Sequence, residues 1–138
     1  MSISKFFEKL GAPLRMVRQS WGAERDDGAV FLRVWLDRVE TIDGKRCVRM
    51  FNGSRYEPGE ESFGYKERGE QISNVRSGAK CYLVMCQADN PSMDPRSMKS
   101  FENNFLFVGG AIIDRGGDVY IEIADKVPVG NVISLGDA

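Results

Sequence analysis

Both tryptophans of this 138-residue chain, Trp21 and Trp35, fall in one short stretch, "RQSWGAERDDGAVFLRVW", at residues 18–35. Gln19 and Arg33 stand beside them in the same stretch. Two indole rings with a guanidinium and an amide suit a planar ligand that also forms hydrogen bonds, such as an extruded nucleobase. Stacking a base on an aromatic ring is worth roughly 1–3 kcal/mol, and unpairing the base costs a comparable few kcal/mol. Stacking alone therefore about balances extrusion, and the polar groups nearby must supply net affinity and selectivity.

A second set lies in "DPRSMKSF" at residues 94–101, where Arg96 and Lys99 alternate with Ser97 and Ser100. Cations and hydroxyls on a loop hold phosphates, which fixes position without reading sequence. Arg18, Arg15 and Lys5 extend that basic set. Other constellations are weaker. Glu67 and Glu70 are three apart on an expected helix and read as surface carboxylates. "DRGGD" at residues 114–118 reads as a hairpin turn rather than a phosphate cradle.

The chain contains no histidine. That removes the usual general base, the commonest zinc ligand and the Ser-His and Cys-His nucleophile pairs. No catalytic residue, metal ligand or cofactor is assigned, and the chain is read as a non-enzyme. Cys47, Cys81 and Cys86 form no CxxC pair, and an odd count fits buried, reduced thiols. A net charge of −1 argues against a broad electrostatic grip on nucleic acid and leaves room for a local basic patch. No apolar run is long enough to span a membrane, and the amphipathic start "MSISKFFEKLG" lacks a signal-peptide core. The chain is read as cytoplasmic.

These residues need a scaffold, and the patterning predicts one domain over residues 1–138. "SKFFEKLG" predicts a short helix capped by Ser4 and stopped at Gly11. Strands are predicted at 14–23 and 29–39, joined by a three-residue "DDG" loop with Gly28 left-handed. A third follows at 46–51, completing a meander. Ile72, Val75 and Gly78 predict a second short helix, and residues 80–88 a central strand. A long loop at 89–101, a hairpin of 105–113 with 119–124, and a last strand at 127–133 complete the chain. The expected class is α+β and mostly β, a small curved antiparallel sheet or barrel with two short helices. In the hairpin register, Trp21 faces Arg33 and Gln19 faces Trp35. The two indoles become diagonal neighbours on one face, roughly 7–8 Å apart.

The segment "ERGEQISNVRSGAKCYLVMCQA" at residues 67–88 resembles PUA-like domains, the group that includes the EVE and YTH folds. There a short helix ends in a hydrophobic–x–x–hydrophobic–basic–x–Gly stretch, here Ile72, Val75, Arg76 and Gly78, and leads into a central strand. Ala79 stands where that family often has Asp. "GGAIIDRGGDVYIEIADKVPV" at residues 109–129 resembles the family's returning strand pair. The opening "APLRMVRQSWGAERDDGAVFLRVW" at residues 12–35 looks like modules found beside HNH endonucleases of modification-dependent restriction systems. The resemblance implies a non-catalytic reader of a modified, flipped base, with modified cytosine as the natural candidate. DNA or RNA would carry that base, DNA foremost, and a separate nuclease chain would be a further partner. The alternative is a small-molecule or protein-partner module using the same aromatic face.

Overall fold

A computed structural model describes residues 1–53, 62–92 and 97–137, with side chains described to 133. Helix α1 (Ile3–Lys9) starts at Ser2, whose hydroxyl accepts from Lys5 N; the cap is Ser2 rather than Ser4. Strands β1 (Gly22–Glu24) and β2 (Val30–Trp35) follow, then a single 3₁₀ turn (Leu36–Arg38). The hairpin β3 (Val39–Ile42) and β4 (Lys45–Asn52) precedes helix α2 (Phe63–Arg76). Strands β5 (Cys81–Ala88), β6 (Met98–Phe101), β7 (Phe105–Arg115) and β8 (Asp118–Pro128) lead to helix α3 (Val129–Asp137).

The class is α+β and mostly strand. One eight-stranded sheet runs β1-β2-β5-β7-β8-β4-β3, with β6 beside β5. The sheet curls without closing, and β2 approaches β4 across the curl. Among the described residues its pairings are antiparallel except one: β2 and β5 run parallel from Val30↔Cys81 to Trp35↔Cys86. A parallel partner requires a crossover, which the β3–β4 hairpin and α2 supply. The expected meander is interrupted for that reason. Residues 29–39 are β-prone throughout, but the 3₁₀ turn splits them, so β2 turns to β5 while β3 pairs with β4.

Two cores result, one on each face of β2. Val30, Leu32 and Val34 point into the curl, where they meet Val48 and Met50 of β4, Leu83 of β5, Ile121 of β8 and Ile72 of α2. Phe31 points the other way, into an outer core with Tyr82, Val84, Leu106 and the Phe6, Phe7 and Leu10 stripe of α1. Phe31 and Tyr82 stack at 5.2 Å. A strand buried on both faces is what parallel pairing demands. Phe6 and Phe7 are fully buried, and each such side chain contributes roughly 1.5–3 kcal/mol.

A third helix replaces the last strand expected at 127–133. Gly130 and Asn131 interrupt any alternation, and the buried pair Val129 and Val132 sits at helical spacing. Arg25 fastens this helix and α1 to the first hairpin. Its guanidinium donates to Leu10 O at 3.2 Å and Val132 O at 3.1 Å, pairs with Asp27 at 2.9 Å, and lies over the Phe31 ring. Hydrogen bonding to Arg25 holds the Asp27 carboxyl below its ordinary range.

The hairpin register is the expected one. Ala29 O accepts from Arg25 N and Arg25 O from Gly28 N, with Gly28 at φ +91°. Glu24 faces Val30 and Gly22 faces Leu32, and Arg33 N donates to Trp21 O. The first strand is shorter than expected. Residues 16–20 form a turn in which Met16 O accepts from Gln19 N and Ser20 N, while Ser20 Oγ accepts from Met16 N. Local bonds satisfy this backbone and displace the ladder. Gln19 consequently lies in the turn, not opposite Trp35.

A candidate ligand-binding end of the sheet

β2 and β5 are parallel and β1 is antiparallel to β2, so one end of the sheet gathers several candidates. Trp35 closes β2, Trp21 precedes β1, and β6 pairs with the last residues of β5. The 16–20 turn leads into Trp21 from the same end, and α2 begins against it.

Trp35 is half-buried and packs on the outer core. In register it stands beside Cys86, which faces Phe101 of β6, and Phe101 contacts Phe6 at 5.2 Å. Arg33 lies one step back on the same face. Its guanidinium donates to Ser20 O at 3.3 Å and lies close enough to the Cys86 thiol to oppose the upward pull that burial exerts on it. Arg33 and Trp35 are therefore brought together, half-exposed, on one strand end.

Trp21 faces Arg33 through the backbone, but its ring goes elsewhere. A side chain at Gly64 would collide with Trp21 Nε1 and with Gln19 O, so α2 begins directly on the indole. The Arg68 guanidinium sits 5.9 Å from the Trp21 ring. The two indoles meet different neighbours, Trp21 the start of α2 and Trp35 the outer core. Gln19 and Arg18 are exposed on the turn. Lys99 is exposed on β6, a strand rather than the expected loop. Arg96 lies outside the described residues. Arg15 is exposed and lies 5.9 Å from the Phe63 ring at the start of α2.

The residue sequence patterning missed is Arg68. It is 3 % exposed and donates to three backbone carbonyls: Met50 at 2.5 Å, and Trp21 and Arg33 at 2.7 Å each. Met50 sits where the β4–β8 register shifts, which frees its carbonyl for Arg68. The one guanidinium thus joins β4 to β2 and to the residue just before β1, across the unclosed side of the curl. Burial pulls its pKa down to about 10. A signal was present: Arg68 is four residues before Ile72, on the same buried stripe of the helix.

Glu67 and Gln71 flank Arg68, and both are buried, each with an Oε1 that has no hydrogen-bond partner among the described residues. Glu67 is not the surface carboxylate the sequence suggests; Glu70 is exposed. Burial raises the Glu67 pKa, against the lowering influence of Ser20, Arg15 and Arg68. A raised carboxylate pKa means the folded state holds its proton more tightly than the unfolded chain does. Its contribution to stability is fully present below the ordinary carboxylate range and is lost as pH rises through the folded value. Glu67→Gln is expected to flatten that dependence. Urea denaturation should find the variant more stable than the parent at neutral pH, with the gap closing in acid.

The three cysteines are free and buried, Cys81 toward the curl and Cys86 toward the outer core. Burial pushes the Cys81 thiol up to about 12, so it is held as an unreactive thiol. No helix among the described residues is long and apolar enough to cross a membrane. An open depression of about 460 Å³ lies at the opposite end of the sheet, lined by Glu40, Asp43, Asp114 and Arg115. Arg115 pairs with Glu40 and Arg76 with Asp114, each at 2.5 Å. Its charges are largely matched, and it contains no aromatic wall.

No family model matches the chain, and neither a curated protein nor a solved structure does.

Proposed function

We propose that this chain is a non-catalytic binding domain that takes an extruded, modified nucleobase at the Trp35 end of its sheet. One observation carries the reading. A half-exposed indole, Trp35, stands beside Arg33 at one strand end, and the turn and the strand β6 that adjoin that end expose Arg15, Arg18 and Lys99. Stacking of the base on the exposed part of this indole would contribute roughly 1–3 kcal/mol. Arg33 offers N–H donors to a base edge or a phosphate. The outlying cations supply backbone contacts that position without reading sequence. Modified cytosine in DNA is the proposed ligand, by the resemblance to PUA-like readers. Any strand cutting would belong to a separate nuclease chain.

Titration of labelled duplexes with and without a modified cytosine tests this by fluorescence anisotropy. The reading expects binding that weakens as salt rises, because phosphate contacts release counterions, and tighter binding of the modified duplex. Absence of binding to either duplex at low salt would overturn it. A second reading, a small-molecule or protein partner on the same face, draws on the net charge of −1 and on the exposed Leu36 beside Trp35. It expects indole fluorescence to respond to that partner and no salt-dependent affinity for DNA.

A further inference from the structure

We propose that the turn at residues 15–20 is a wedge that enters the base stack of a duplex and fills the gap left by the extruded base. The inference rests on the base-reading proposal above and assigns a second element to the same site. Met16 is 43 % and Val17 59 % exposed, at the tip of the turn. Both are large apolar side chains, and neither belongs to the inner or the outer core. Arg15 and Arg18 flank them in sequence and are exposed.

The turn is pre-organised. Met16 O accepts from Gln19 N at 2.9 Å and from Ser20 N at 2.7 Å, and Ser20 Oγ accepts from Met16 N at 3.0 Å. Ser20 is 1 % exposed, and its carbonyl accepts from Arg33. The base of the turn is therefore fixed to the same arginine that stands beside Trp35. Little order remains to be gained when the tip meets a ligand, which lowers the entropic cost of binding.

An apolar tip between two cations complements a duplex in both respects. Apolar side chains inserted at a base step unstack it, while guanidinium groups reach the phosphates on either side. Leu36, next to Trp35 in sequence and 48 % exposed, adds apolar surface beside the stacking ring. Wedge and ring thus act at one sheet end. The first holds the duplex open and the second receives what has left it.

The experiment uses the double variant Met16→Ser/Val17→Ser in the full chain, with thermal unfolding confirming an intact fold. Three ligands are compared: a duplex with one modified cytosine beside a fluorescent adenine analogue, a single strand of the same sequence, and anionic phospholipid vesicles. The wild type should bind the duplex with a rise in analogue fluorescence as the step unstacks. The variant should lose roughly tenfold or more on the duplex, the scale of one unstacked step, together with that rise. It should keep its affinity for the single strand, where no stack has to be opened. Unchanged duplex affinity and fluorescence in the variant would overturn the wedge alone. Equal losses on duplex and single strand would also overturn it, reducing the pair to general contacts. Wild-type capture by vesicles with no binding to either oligonucleotide would overturn both the wedge and the base-reading proposal.

Discussion

Arg68→Ala is expected to destabilise the fold by roughly 3–5 kcal/mol, since each buried carbonyl left without a donor costs about 1–3 kcal/mol. Arg68 donates to Met50, Trp21 and Arg33. Trp21 O would keep its bond from Arg33 N, so the heaviest losses fall on Met50 O and Arg33 O. The void left by the side chain adds to the cost. The position is also where β4 and β2 approach without pairing, so no ladder can replace the lost bonds. Arg68→Lys retains charge but not the planar fork that serves several acceptors at once, and should fall between the two. Urea denaturation measures all three. A loss under about 1 kcal/mol for the alanine variant would mean that water replaces the guanidinium at those carbonyls.

The second large effect concerns Trp35. Trp35→Ala is expected to weaken binding of a modified duplex roughly 10- to 100-fold, the equivalent of one lost base stack. The ring is half-buried on the outer core, so some stability will be lost as well. Trp35→Phe separates the two effects. It keeps an aromatic face and should recover much of the affinity, whereas a purely structural role would make both variants track unfolding. Trp21→Phe should behave differently. The Trp21 ring lies against Gly64 and Arg68, so its loss should appear mainly as reduced stability of the α2 attachment.

How much of this was legible in the sequence depended on how local the cause was. The "DDG" loop and its register were readable because Gly28 alone permits the left-handed step that closes a three-residue hairpin. The α2–β5 segment and the β7–β8 hairpin were readable from apolar spacing and the Gly116–Gly117 turn. The parallel β2–β5 pairing was not, because alternation defines faces and says nothing of which strand lies alongside. The turn at 16–20 was hidden because its bonds are local and leave no spacing signal: the Met16 carbonyl accepts from Gln19 N and Ser20 N, and the Ser20 hydroxyl accepts from Met16 N.

For the candidate site, Arg33 and Trp35 were placed correctly relative to each other by β-strand alternation. The pairing of Trp21 with Trp35 depended on Trp21's ring following the strand direction, and the start of α2 redirects it. Arg68 was legible only as a position on the buried stripe of α2, four residues before Ile72, because composition treats arginine as surface charge. Only the tertiary arrangement reveals three carbonyls in need of donors at the mouth of an unclosed sheet.

The central claim is that ligand arrives at the sheet end shared by Trp35, Arg33 and the 16–20 turn. Its most direct measurement is a two-dimensional amide and indole NMR titration of the full chain with a duplex carrying a modified cytosine. The account predicts that the Trp35 indole signal moves, with backbone shifts confined to the turn, the end of β2 and β6. Shifts centred instead on Glu40, Asp43 and Arg115, with the Trp35 indole unmoved, would contradict it.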